Sequence, residues 1–308
     1  MKKPLLSIIV PNYNHSSYLK KRIDSILDQS FIDYEIIFLD DASTDNSVEI
    51  LNTYKDNPKI AHFIVNSKNS GSPFKQWQKG LKLAKGEFVW IAESDDWCEP
   101  DFLATAMQHL KKENANIFFC ASTFYIQKEK RFELAPDATT DYTQKGTDLL
   151  LNGLLKDNLL RNASAVVFKK KLIKKFPKKI TNFKVAGDWV FWTYLCRQPD
   201  CIVTYSKKTM NFFRLHQDSA AAKGKIYNPS ILEGIHIILE AKKSKDINNK
   251  RMLRPILNFW YESIHFGILK HINKYKVSTI FVLIFTALRI DLSFGFKILR
   301  SARFYYLK

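Results

Sequence analysis

This sequence predicts an α/β protein: a mostly parallel central sheet with helices on both faces, followed by a helical C-terminal extension. Three observations carry the prediction. Short apolar runs rich in β-branched residues alternate with segments of helical spacing over residues 4–125. Polar clusters stand where the apolar runs end. From about Pro229 the pattern is helical and the charge strongly basic.

Residues 5–10 form a nearly continuous apolar run, as a strand buried on both faces needs. Residues 18–29 carry Leu19, Ile23, Ile26 and Leu27 at helical spacing. Residues 34–39 read as a second strand, 47–54 as a short helix and 60–65 as a third strand. Residues 73–84 form a helix that Gly86 stops, and 87–92 a fourth strand. Pro100 opens the next helix near its first turn, where the missing N–H costs little, and this helix runs to Lys112. Residues 116–125 read as a strand, and a polar loop with Pro136 follows. Residues 147–160 are helical and 163–168 a strand; a lysine-rich connector runs from 169 to 184. Residues 188–196 form an aromatic helix, and 202–205 and 209–213 two further strands. The sequence holds no internal repeat and no GxGxxG or GxxxxGKS/T phosphate loop.

The chain has 308 residues, 46% hydrophobic and 25% charged, enough to bury a core in one large domain or one and a half. Cys98, Cys120, Cys196 and Cys201 form no CxxC pair and read as free thiols in a reducing compartment. The apolar run after Met1-Lys2-Lys3-Pro4 is too short for a signal-peptide core, and no small-residue cleavage site follows it. A cytoplasmic protein is expected. The net charge of +18 is uneven: −3 over residues 1–110, +10 over 111–240 and +11 over 241–308. The basic excess therefore lies away from the acidic first third.

In parallel sheets, ligands bind beyond the carboxyl ends of the strands. Three clusters stand there: Asn12-Tyr13-Asn14, Asp40-Asp41 and Glu93-Ser94-Asp95-Asp96. Three carboxylates so close repel one another unless a cation or protons neutralise them. Hard cations such as Mg2+ and Mn2+ prefer such oxygen ligands and bridge to phosphate. The acidic stretch alone would also read as a solvated turn. Three clusters at one edge argue for a pocket.

These residues resemble family 2 glycosyltransferases of the GT-A fold. The resemblance rests on Ser7 to Asn14, on Asp40 to Ser47, on Ala84-Lys85-Gly86-Glu87 and on Glu93 to Asp96, in that order and spacing. It is strong over residues 4–125 and weaker through about 220. It implies inverting transfer of a sugar from a nucleoside-diphosphate sugar to a hydroxyl of a glycan or lipid-linked acceptor, with Mn2+ or Mg2+. By position it assigns the nucleoside to Pro11, Tyr13 and Asp41, with Asp40. An aromatic ring stacks on a base, and a carboxylate accepts from a base N–H or a ribose hydroxyl. Asp45 and Ser47 read as helix caps instead.

The family's metal motif is usually Asp-x-Asp. Here Glu93 takes the first position and Asp95 and Asp96 follow, so the direct ligand lies between those two and Glu93 is left to a sugar hydroxyl or a water. Gly187-Asp188-Trp189 resembles the motif of the catalytic base, with Gly where the family often has Glu; Asp188 is the expected base. Phe213 to Ser219 resembles the late Arg-x-His segment. Arg214 is expected to meet diphosphate charge, and His216 to ligate the metal or contact the diphosphate. Asn162-Ala163-Ser164 is expected near the acceptor. Asn69, Gly71 and Lys75 border the donor pocket, with Lys75 or Gln76-Trp77 where the family often has Arg.

Residues 277–288 carry no charge and are bounded by Lys276 and Arg289, too short for a membrane span of about 20 residues. With Phe281, Phe285, Phe294 and Phe296, then Arg300, Arg303 and Lys308, the tail resembles a helix lying on an anionic membrane surface. A helix packed on the catalytic domain, or at a homodimer interface, has the same pattern. The expected division is a transferase domain over residues 1–225 and a basic helical extension over 226–308, peripheral on the inner face of the membrane. Nucleic acid is not an expected partner, because no recognition motif is present. A nucleotide-sugar-binding scaffold without turnover, or a basic membrane adaptor, would share parts of this pattern.

Overall fold

The computed structural model of the chain describes residues 3–216, 229–247 and 249–306. Met1 and Lys2, Gln217 to Ser219 of the Arg-x-His segment, and Lys308 of the tail lie outside the described residues. The chain forms two compact units. The first comprises residues 1–145, 160–182 and 200–216; the second comprises 146–159, 183–199 and 217–308. Residues 146–159 and 183–199 thus group with the C-terminal helices rather than with the rest of 1–225.

The first unit runs β1 (Leu6–Asn12), α1 (Ser16–Leu27), β2 (Tyr34–Asp40), α2 (Ser47–Asn52), β3 (Ile60–Val65), α3 (Pro73–Leu83), β4 (Phe88–Ile91), β5 (Trp97–Cys98) and α4 (Phe102–Lys112). It continues with β6 (Ile117–Ile126), β7 (Arg131–Leu134), β8 (Tyr142–Lys145), β9 (Val166–Lys169) and β10 (Ile202–Leu215). The strand order is β3-β2-β1-β4-β9-β6-β10-β5, with β7 on β6 and β8 on β10. The β3-β2-β1-β4 half is parallel. β9 enters antiparallel between β4 and β6, so the sheet is mixed beyond β4.

Every residue of β1 and β2 is buried. Successive side chains of a strand face opposite ways. Leu6, Ile8 and Val10 therefore share one core with Leu19, Ile23 and Ile26 of α1 and with Phe102 and Leu103 of α4. Ile9 faces α3, where a Cβ on Gly80 would lie 2.4 Å from the Ile9 side chain; only glycine lets helix and sheet approach so closely. Helices thus cover both faces, as two-sided apolar strands require. Ala84-Lys85-Gly86-Glu87 ties the strands together at the opposite end from the polar clusters. Ser7 Oγ donates to Glu35 Oε1 at 2.6 Å and accepts from Gly86 N at 2.8 Å, and Lys85 N donates to the same Glu35 oxygen.

Two expectations change. Residues 202–205 and 209–213 are one strand, β10, whose register against β6 shifts between Ser206 and Asn211 around the polar Ser206-Lys207-Lys208. The polar loop after β6 also holds β7 and β8, four residues each and largely exposed, so burial writes no clear pattern into them.

The second unit is helical. α5 (Gly146–Leu149) passes into a π-helical turn at Leu150–Leu154, where the helix expected over 147–160 ends. α6 (Gly187–Cys196), α7 (Pro229–Gly234), α8 (His236–Ala241), α9 (Lys250–Gly267), α10 (Val277–Ile290) and α11 (Leu292–Tyr306) follow. Ile280, Leu283, Ile284, Ala287 and Ile290 of α10 are buried. Asp291 turns the chain, its Oδ1 accepting from Phe294 N at 3.1 Å. Among the described residues, no helix is long and apolar enough to cross a membrane.

Candidate active site

Adjacent parallel strands bring the polar clusters side by side. Asn12 pairs with Asp40 in register, Asp41 N donates to Asn12 O at 2.8 Å, and Ala92 N donates to Ile9 O at 2.8 Å. The chain therefore leaves β1, β2 and β4 at one edge of the sheet. Asn14 and Ala42 take left-handed backbone conformations there, with φ of 56° and 62°.

Pro11 is buried at the end of β1, and Tyr13 is 45% exposed. Asp40 is buried and holds the loops: its Oδ2 accepts from Asn12 Nδ2 and Ser43 Oγ, both at 2.7 Å, and its Oδ1 from Ser43 N at 2.8 Å. Asp41 gathers a second loop. Its Oδ1 accepts from Gln76 Nε2 at 2.6 Å, Asn66 Nδ2 at 2.7 Å and Ser70 N at 3.0 Å, and its Oδ2 from Ser70 Oγ at 2.7 Å. Asn69 Nδ2 donates to the Asp41 carbonyl, and exposed Lys75 reaches back to Ser70 O at 2.7 Å. Gln76, expected with Lys75 and Trp77 in the stretch where the family often has Arg, is turned to Asp41 here.

The three carboxylates after β4 have different surroundings. Glu93 Oε1 accepts from Trp77 Nε1 at 2.8 Å; burial, with Asp95 nearby, pushes its carboxyl up to about 8. Asp96 is engaged at both oxygens. Its Oδ2 accepts from Asn162 Nδ2 at 2.9 Å and Ser164 Oγ at 2.7 Å, its Oδ1 from Arg214 N at 3.0 Å, and Arg22 lies 3.9 Å away. Burial next to Asp95 pushes the Asp96 carboxyl upward. Burial works to raise Asp95 also, but His216 Nε2 at 3.0 Å from its Oδ2, and the charges of His15 and His216, hold it below the usual carboxylate range.

Two residues that sequence reasoning passed over, Arg22 and His15, complete this network. Arg22 is fully buried on the apolar stripe of α1; its Nε donates to Glu93 O at 2.8 Å and its Nη2 to Ser164 Oγ at 2.7 Å. A cation three residues from Leu19 on that stripe was the available signal. Ser94 is buried, with its Oγ 2.8 Å from His15 Nδ1. His15 was visible only as a polar residue after the first cluster. Arg214 Nε donates to Asp95 O at 2.7 Å, and its guanidinium lies over the rings of Tyr18, Trp97 and Tyr125 at 4.6, 4.8 and 5.2 Å.

Among the described residues, the side chains grouped so that they could hold a metal are His15, Asp95 and His216, whose ligand atoms all lie within 4.8 Å of one another. Ligands at roughly 2.0–2.4 Å from an ion put opposite atoms about 4–5 Å apart, so this donor set fits a divalent cation. The Nδ1 of His216 is buried without a hydrogen-bond partner among the described residues.

Asp188 belongs to the second unit, in the first turn of α6. Burial pushes its carboxyl up to about 7 and outweighs the hydrogen bonds that stabilise its ionised form, one of them from Asn158 Nδ2 at 3.1 Å. Glu233 adds to the rise. That carboxylate holds the segment leading into α6 by accepting from the backbone N–H groups of Lys184, Val185 and Ala186 at 2.8–2.9 Å. Trp189 donates to Leu154 O at 2.6 Å and Trp260 to Leu155 O at 2.7 Å, which fixes the helix around Asp188.

The profile of Glycosyl transferase family 2 matches residues 7–176, more than half the chain. A Haemophilus influenzae protein described as an uncharacterized glycosyltransferase is 37% identical over 125 residues, 39% of this chain and 50% of that protein. The matched stretch thus spans half the length of that relative. The GalNAc(5)-diNAcBac-PP-undecaprenol beta-1,3-glucosyltransferase of Campylobacter jejuni is 29% identical over 225 residues, 72% of this chain and 68% of that protein. The crystal structure of S. aureus TarS 1–349 in complex with UDP-GlcNAc superposes with a TM-score of 0.73 at 18% identity, covering 97% of this chain and 90% of that one. It shares the GT-A fold.

Proposed function

This chain belongs to glycosyl transferase family 2, and from that premise we propose that it moves a sugar from a nucleoside-diphosphate sugar to a hydroxyl of a glycan or lipid-linked acceptor, with inversion, in the building of a cell-surface polysaccharide. The observation that carries the reading is the emergence of Tyr13, Asp41 and the Glu93 to Asp96 segment at one edge of one sheet. The nucleotide-sugar ligand of TarS and the lipid-linked acceptor in the Campylobacter relative's name support the substrate classes.

Tyr13 supplies the exposed ring for the base, beside Pro11. Asp41, which holds the loop of Asn69, Ser70 and Lys75, meets the nucleoside, while Asp40 keeps the Asn12 and Ser43 loops beside it in shape. Asp95, rather than Asp96, holds the divalent ion with His216, because the Asp96 oxygens are already taken by Asn162, Ser164 and Arg214. Such an ion neutralises diphosphate charge as a Lewis acid. Arg214, steadied on its three aromatic rings, adds fixed positive charge. Asp188 accepts the proton of the acceptor hydroxyl. That oxygen forms its bond to the anomeric carbon as the bond from that carbon to the phosphate oxygen breaks, and the nucleoside diphosphate leaves. A carboxylate with a pKa of about 7 is matched to this work near neutral pH.

A panel of UDP-, GDP- and dTDP-sugars with Mn2+ or Mg2+, scored by thermal shift, tests the reading. A donor that binds the native state raises Tm by several degrees at saturation. No shift with any nucleotide at saturating metal overturns it.

A second observation favours the bilayer surface as partner of the tail. Val277, Phe281, Val282 and Phe285 of α10, and Leu292, Phe296 and Phe304 of α11, are all more than half exposed. The exposed charges on these two helices are Arg289, Lys297, Arg300 and Arg303, all basic. Exposed apolar side chains and exposed cations on the same two helices fit an anionic membrane.

A further inference from the structure

Asp95 and His216 are the two protein ligands proposed for the divalent ion. We propose that His15 is a third protein ligand to the same ion, making a two-imidazole, one-carboxylate site that takes Mn2+, Co2+ or Zn2+ in preference to Mg2+. The inference rests on the metal reading and deepens it.

Three observations lead here. The ligand-capable atoms of His15, Asp95 and His216 converge within 4.8 Å of one another. The two imidazole rings meet edge to face, 5.7 Å between centroids, and Tyr18 touches both at 5.6 and 5.2 Å, so neither ring is loosely placed. Ser94 holds the His15 ring at Nδ1 from the position next to Asp95 in the chain. A hydrogen bond at one ring nitrogen is what fixes the tautomer and orientation of a ligating histidine.

The chemistry of the donor set decides the ion. Mg2+ favours all-oxygen surroundings and gives up its waters reluctantly, whereas imidazole suits the later first-row ions. With one carboxylate and two imidazoles, a six-coordinate ion keeps three positions for diphosphate oxygens or water. A purely structural role is the competing account: the three side chains would then be a hydrogen-bonded cluster that shapes the loop after β1.

Titration of the full chain with Mn2+, with and without UDP, followed by EPR, measures affinity directly. Pulsed EPR of the bound Mn2+ counts imidazole nitrogens. The expected result is two imidazoles in the native protein and one in His15→Gln. Mn2+ affinity should fall about tenfold or more in His15→Gln while Mg2+ affinity, read by competition, moves less. His216→Gln should leave the other single imidazole. One imidazole in the native spectrum overturns the proposal and leaves the Asp95–His216 reading standing. No bound Mn2+ in the native protein, with or without UDP, overturns both. The native spectrum decides the point even if a variant does not fold.

Discussion

The proposed role as base asks Asp188 to be buried and ionised at once. Its carboxyl, pushed up to about 7, is protonated below that pH and ionised above it. As a base it works only when ionised. We therefore expect kcat/KM to fall about tenfold per pH unit below pH 7, with a plateau above. The stability sign runs the other way. The folded chain keeps a proton on Asp188 that the unfolded chain releases from about pH 4 upward. This group therefore favours folding fully below about pH 4, and that contribution is lost as pH rises toward 7. Asp188→Asn should abolish transfer while leaving donor-induced thermal shift intact. It should also raise Tm at pH 8 by roughly 2–5 °C, with the gain vanishing near pH 4. Lower Tm in the variant at pH 8 would refute the buried-charge account, and retained transfer would refute the base.

Close approach governs the elements. A Cβ on Gly86 would lie 2.6–2.8 Å from backbone atoms of Leu6, Ser7 and Phe88, where neither strand can yield without losing its register. Gly86→Ala should cost about 1–3 kcal/mol in a urea titration, with unchanged donor affinity in the fraction that folds. An unchanged midpoint would show that β1 and β4 part easily. The alternation of strands and helices through α4 was legible in the sequence, because each apolar run needs burial that its own spacing records. The direction of β9 was not. Burial on both faces leaves the same pattern whichever way a strand runs, and β9 finds its partners in β4 and β6 far along the chain. Arg22 was hidden for a related reason: its partners Glu93 and Ser164 lie 71 and 142 residues away.

At the scale of the whole molecule, charge and exposed apolar surface are concentrated in the tail. Phe281→Glu with Phe285→Glu should weaken flotation with phosphatidylglycerol vesicles by roughly tenfold or more, since burying one aromatic side chain is worth about 1.5–3 kcal/mol. Donor-induced thermal shift should not change. Binding should fall with added salt and be weak on neutral vesicles. Equal flotation of native and variant protein would sink the membrane reading, and a dimer that the same substitutions dissociate would assign the face to a second copy of the chain. The sequence by itself determined the family, the sheet with its helices and the strand ends that carry the polar clusters, because local periodicity and order along the chain encode them. The tertiary structure alone decided which carboxylate is engaged and which faces the two histidines. Asp96 is held by Asn162, Ser164 and Arg214, which stand 66, 68 and 118 residues away, and a hydrogen-bond partner at that distance leaves no mark on local spacing.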